Sequence, residues 1–124
     1  MSKEIDKELD KELDVAEQEA AESDSGDYKL TFKKPFRFSY DGKDYDELQF
    51  DFDALTGKDA VDIENEMQKL GKMLITPAFS TDFIMRMISK ACRQPIGVDG
   101  FERLPLYYFN KARSAGRSFL LKSE

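Results

Sequence analysis

The segment FRFSYDGKDYDELQFDFDALTGKD, running from Phe36 to Asp59, decides the fold because its hydrophobic period changes partway along. Phe36, Phe38 and Tyr40 alternate with polar residues up to Asp41-Gly42, and Leu48, Phe50 and Phe52 alternate beyond it. Alternation with a period of two is the mark of a half-buried strand, so the segment predicts an antiparallel strand pair. Asp-Gly suits the reversal, since glycine enters the left-handed region without steric cost and aspartate tolerates it. The spacer Lys43 to Glu47 argues for a loop longer than a two-residue hairpin. After Phe52 the period lengthens to that of a helix: Ala60, Ile63, Met67 and Leu70 recur at steps of three and four. Thr56 is the expected cap, with Asp59 three residues on as the acidic half of a capping box and Asp62 adding negative charge near the positive end of the dipole.

Parity along the second strand places Leu48, Phe50 and Phe52 on one buried face and Asp51 and Asp53 on the other. Alternating acids of this kind mark a solvated strand face, not a catalytic carboxylate pair, which would need a cleft around it.

Further along, Ser80 or Thr81 is the expected cap of a second helix, whose apolar positions are Phe83, Ile84, Met87, Ile88 and Ala91. Met73, Met85 and Met87 read as core, with adaptable packing against a partner as the alternative. Gln94-Pro95 stops the helix, and Gly97 with Asp99-Gly100 reads as a loop before Phe101. A final helix follows Pro105, on which Phe109, Ala112, Arg113, Gly116, Phe119 and Leu120 trace one face. Gly116 weakens that helix and lets it end, bend or pack closely.

At 124 residues and 40% hydrophobic content the chain has room for one modest domain. Charge is unevenly divided. Residues 1–27 carry three lysines against eleven acids, a net of −8, so the total of −6 leaves about +2 for residues 28–124 by difference. That leader repeats KEID, KELD, KELD from Lys3 to Asp14. Ile5, Leu9 and Leu13 stand at four-residue spacing, but three aliphatic side chains bury too little to fold alone, so residues 1–27 are expected to be a disordered acidic leader. A solvated, solubilising segment is the preferred reading; an acidic arm that shields a sticky surface or meets a basic partner is the other.

The sequence contains no histidine, and its one cysteine, Cys92, has no such base to activate it, so enzymatic catalysis is not expected. Cys92 reads as a small buried filler. Asp41, Asp44 and Asp46 lack the spacing of a calcium loop, and Gly57-Lys58 lacks the glycine pattern of a phosphate loop, so no metal or cofactor is expected. Lys33, Lys34, Arg37, Arg103, Arg113 and Arg117 could gather against nucleic acid, yet the near-neutral domain and its acidic leader weigh against phosphate binding. No apolar run is long enough to span a membrane, and the charged N-terminus does not fit a secretory signal, which leads to an expectation of a soluble cytoplasmic protein.

From Tyr28 through Leu121 the layout resembles the tail assembly chaperones of long-tailed bacteriophages, especially the small forms of phages and prophages of Gram-positive hosts. A strand-forming YKLTFKKPFRF opening, the DGKDYDELQFDFDALTGKD block, the acidic helix IENEM, the helix PAFSTDFIMRMISKAC and a closing RSFLL carry the resemblance, with FDFDALTGKD its most specific part. The resemblance implies a protein of the host cytoplasm that binds the tape-measure protein, keeps that long apolar helix soluble and leaves as tail-tube subunits polymerise around it. A longer frameshift product belongs to the same implication, and a homo-oligomer stays open.

The expected architecture is therefore an α+β domain over residues 28–124, an antiparallel strand pair covered by about three helices. Its expected partner-binding residues are Phe83, Ile84, Met87, Phe109, Phe119 and Leu120, which supply more apolar surface than a two-stranded sheet covers. Two other classes of function compete: a structural tail or connector subunit retained in the virion, and a small nucleic-acid-binding regulator.

Overall fold

The computed structural model describes residues 26–74 and 76–122. The disordered-leader expectation lies outside these residues for 1–25, whereas Gly26 and Asp27, which it also covered, belong to the domain: Asp27 opens the first strand, and Gly26 accepts the Phe52 amide. Among the described residues the domain is α+β, with two antiparallel strand pairs and four α-helices. Strand β1 (Asp27–Thr31) pairs with β4 (Glu47–Asp51), placing Tyr28 opposite Phe50 and Leu30 opposite Leu48. Nested between them, β2 (Phe38–Tyr40) and β3 (Lys43–Tyr45) form a second ladder.

This pairing corrects the sequence expectation in two respects. The strand that ends at Tyr40 pairs with Lys43–Tyr45 and not with the Leu48 strand, whose partner is the Tyr28 strand. Asp41-Gly42 is itself the complete two-residue turn, because φ is +50° at Asp41 and +80° at Gly42, the mirror-image geometry whose twist matches that of paired strands. The hairpin is then fastened elsewhere. Tyr40 Oη donates to Asp99 Oδ1 at 2.8 Å and accepts the Gly97 amide at 3.3 Å, while the Arg37 guanidinium reaches Asp46 at 3.1 Å.

Side-chain parity on β4 holds as expected: Leu48, Phe50 and Phe52 are all buried. Phe52, however, opens a single 3-10 turn, Phe52–Ala54, and is no longer in the strand. On its second edge β4 is met by an extended stretch after the second helix. The Arg93 amide donates to the Gln49 carbonyl at 2.8 Å, and the Gln49 amide donates to Gln94 Oε1 at 2.8 Å. These bonds satisfy polar backbone that a two-stranded sheet would otherwise leave at an edge.

Helix α1 (Gly57–Lys69) starts at Thr56 with the expected capping box, in which Asp59 Oδ2 accepts the Thr56 amide at 2.8 Å. It buries Ile63 and Met67 but leaves Leu70, just past its end, exposed. Helix α2 (Thr81–Ala91) is capped by Ser80, whose hydroxyl accepts the Phe83 amide at 3.2 Å. The stretch read as a loop before Phe101 is instead a short helix, α3 (Val98–Glu102). Its tertiary context overrides two glycines: Phe101 is fully buried beside Phe50, with ring centroids 6.0 Å apart. Helix α4 (Leu106–Lys122) buries Tyr108, Ala112, Ala115 and Gly116, a stripe of helical period.

Gly116 shows why α4 packs as it does. A Cβ there would lie 2.9 Å from Ile84 Cγ2 and 3.1 Å from Ile88 Cδ1, so the missing methyl is what lets α4 close onto α2. The core thus runs from the inner face of β1 and β4 through Ile84 and Ile88 to α4, and α1 covers its remaining side through Ile63 and Met67.

Candidate functional site

Helices α1, α2 and α4 do not close completely on one another. The start of α1 meets α2 and the last turns of α4 around an apolar groove of about 150 Å³. Phe83 and Met87 form the α2 wall and Phe119 and Leu120 the α4 wall, while Leu55, Ala60 and Ile63, with Thr56 and Asp59, form the third. The Phe119 ring stacks on Phe52, with centroids 5.1 Å apart and planes within 19°. Strand β4 therefore sets the position of the groove wall through the turn that follows it.

Four of the six expected partner-binding residues, Phe83, Met87, Phe119 and Leu120, come together here. The other two do not. Ile84 has no exposed surface, because the Gly116 contact lays α4 over it, so it is a core residue and cannot touch a partner. Phe109 stands on another side of α4, beneath the Arg113 guanidinium at 5.4 Å, and lines a separate depression with Lys72, Asp82 and Met85. Phe83 and Met87 are themselves only 4% exposed, so they form the floor of the groove; Phe119 and Leu120, half-buried, form its lip. Sequence reasoning missed Leu55, which has no helical period to announce it, and did not place Ala60 at a site although its spacing was read.

Of the methionines, Met67, Met85 and Met87 are core, as their helical spacing indicates, whereas Met73 is 83% exposed. Phe79, in the single turn Pro77–Phe79 before α2, is 72% exposed. Both lie in the connection between α1 and α2, which consequently presents large apolar side chains to solvent.

Away from the groove, where Phe109 and Thr81 line the separate depression, α4 carries Arg113, with Arg117 one turn further on. Arg113 donates through Nη2 to Asn110 Oδ1 at 2.7 Å and through Nη1 to Thr81 Oγ1 at 3.5 Å, and Arg117 Nε donates to the Ala78 carbonyl at 3.0 Å. Among the described residues these acceptors are all neutral. Partial burial, and secondarily the neighbouring Arg117 charge, push the Arg113 pKa below the ordinary guanidinium value. Other cations are matched by acids: Lys72 with Asp82 at 2.9 Å, Arg86 with Glu66 at 3.3 Å, and Arg93 with both Asp27 and Asp51.

Asp51 thus has an ion-pair partner, and Asp53 lies in the 3-10 turn, packed against Gly26. The two acids do not share a strand face. Among the described residues no group of three or more acidic or cysteine side chains gathers that could hold a metal ion, and no helix is long and apolar enough to cross a membrane. Cys92 sits at the end of α2 with its thiol pushed up to about 11 by burial, so at neutral pH it is a neutral, weakly nucleophilic group.

No family model, curated protein or solved structure matches the chain.

Proposed function

We propose that this protein is a non-enzymatic tail assembly chaperone that holds the apolar helix of a phage tape-measure protein until tail-tube subunits polymerise around it. The observation that supports the reading most is the open groove between α1, α2 and α4, walled by Phe83, Met87, Phe119 and Leu120. Its volume admits the side chains along one edge of a helix, not the helix body. That is how an amphipathic helix is anchored, through residues at positions i and i+4. Exposed Met73 and Phe79 supply further apolar contact area at the end of α1 and before α2. Holding of this kind calls for apolar surface left uncovered after folding.

Co-expression with the tape-measure protein tests the reading. The wild type should keep that partner in the soluble fraction and be retained with it on pull-down. Leu120→Lys, at the half-buried lip, should lose both effects while its circular dichroism stays native. Glu64→Lys, on the exposed face of α1, should lose neither. If the wild type fails to improve the partner's solubility, the chaperone reading falls.

A further inference from the structure

We propose that Arg113 and Arg117 on α4, together with the exposed Phe79 beside them, form a second docking surface, which receives a partner helix carrying two carboxylates one turn apart next to an apolar side chain. The inference stands apart from the groove and does not depend on which protein fills it.

The pairing of the arginines is the first support. Four of the six meet a carboxylate: Arg37 with Asp46 at 3.1 Å, Arg86 with Glu66 at 3.3 Å, Arg103 with Asp99 at 3.2 Å, and Arg93 with both Asp27 and Asp51. Among the described residues Arg113 and Arg117 meet none. They stand one turn apart on α4, where like charges repel, and Arg113 is also partly desolvated. An anion set against the pair relieves that repulsion.

Both guanidinium groups are held in place before any partner arrives. Arg117 Nε donates to the Ala78 carbonyl at 3.0 Å, which fixes one edge of the plane. The Nη edge is the one that matches a carboxylate with two parallel bonds. Arg113 Nη2 donates to Oδ1 of the buried Asn110 at 2.7 Å, and its Nη1 stands 3.5 Å from Thr81 Oγ1. Side chains fixed in advance lose little rotamer freedom on binding.

Phe79 supplies the apolar half. The arginine contacts bracket it in the chain, at Ala78 on one side and Thr81 on the other, so the turn Pro77–Phe79 is clamped to α4 with its terminal ring mostly in solvent. Leu121, one turn beyond Arg117, is exposed as well. Arginine beside an aromatic ring is a composition that dominates binding energy at protein interfaces. Positions i and i+4 of a helix are about 6 Å apart, so two acids at that step on a facing helix match the step from Arg113 to Arg117. Apolar residues at i+3 and i+7 of the same helix lie beside those acids and can cover Phe79. The apolar ring, and a net charge of −6 that repels a long polyanion, favour a segment with a few acids over nucleic acid.

Side-chain Nε and backbone amide spectra of the full chain provide the test, titrated with a synthetic alanine-based helical peptide that carries glutamates at i and i+4 and leucines at i+3 and i+7. The peptide should shift Arg113, Arg117 and Phe79 saturably and leave Arg37 and Arg103, already matched by acids, in place. The same peptide with glutamine for glutamate should bind about tenfold more weakly, since the charge-assisted bonds are lost. Arg117→Lys keeps the charge but not the fork, and Phe79→Ala removes an exposed ring; each should weaken the glutamate peptide by about tenfold. Equal binding of the two peptides, or unchanged binding by either variant, overturns the proposal. So does the lack of any saturable shift, whether solvent or another acid of the chain already meets the arginines. Shifts at Met87 and Leu120 in place of Arg113 and Arg117 would put the peptide in the groove and overturn it too. A single-stranded oligonucleotide that produces the same shifts at lower concentration than the peptide would assign the surface to phosphate and overturn the peptide reading.

Discussion

Gly116→Ala sets helix propensity against packing, and the structure decides the sign. In an exposed helix interior the change would stabilise by about 1 kcal/mol, because alanine loses less backbone freedom on folding. Here the new Cβ would stand 2.9 Å from Ile84 Cγ2 and 3.1 Å from both Cγ1 and Cδ1 of Ile88. Both isoleucines are completely buried. The Ile84 methyl is attached directly to its Cβ, so it moves only if the rotamer or the helix moves. Overpacking of this kind costs about 1–3 kcal/mol, and the net expectation is a loss of about 1 kcal/mol, or roughly 4–8 °C in midpoint. Urea unfolding followed by circular dichroism measures it. Ile84→Ala removes the closest atom at a cost of its own of about 2–5 kcal/mol, but in that background Gly116→Ala should become stabilising, with a coupling of about 1–3 kcal/mol between the two sites. A gain of the full 1 kcal/mol in the wild-type background would refute the claim that α4 rests on α2 at Gly116.

The same unfolding assay checks the β4 register: Phe50→Ala should cost about 3–5 kcal/mol, since its ring is buried among Tyr28, Phe52 and Phe101, whereas Asp51→Ala loses only a surface ion pair worth about 0–1 kcal/mol. Equal costs would contradict the assigned faces. Gly42→Ala should destabilise by about 1–2 kcal/mol because φ is +80° there, while Gly57→Ala, with negative φ and open space around its Cα, should not; a tolerated Gly42→Ala would exclude the mirror-image turn. The Cys92 thiol should react slowly with iodoacetamide at pH 8 and faster as the pH approaches about 11. Burial raises this pKa in the folded state, so the contribution to stability is present below about 9, the ordinary thiol value, and is lost as pH rises from there to about 11; a rise in stability over that window would reverse the assignment.

The sequence determined those features that depend on neighbours in the chain. Thr56 with Asp59, and Ser80 before α2, start their helices through contacts three residues long, and the parity of Leu48 and Phe50 follows from the pleat alone. The helical stripes and the α+β class were legible for the same reason: periodicity is a local property that records where the core must lie. Strand partners were not legible, because alternation is identical whichever strand lies opposite. Only the tertiary structure joined Tyr28 to Phe50 and made Asp41-Gly42 a complete turn. The stretch from Gly97 to Gly100 read as a loop before Phe101 because glycine disfavours a helix locally, and burial of Phe101 against Phe50 reversed that preference. The candidate site divided in the same way. Period identified Phe83, Ile84, Met87, Phe119 and Leu120 as apolar without stating which of them another helix would cover. That depended on the absence of a methyl at Gly116, which brings α4 over Ile84 and leaves Phe83, Met87, Phe119 and Leu120 around an opening.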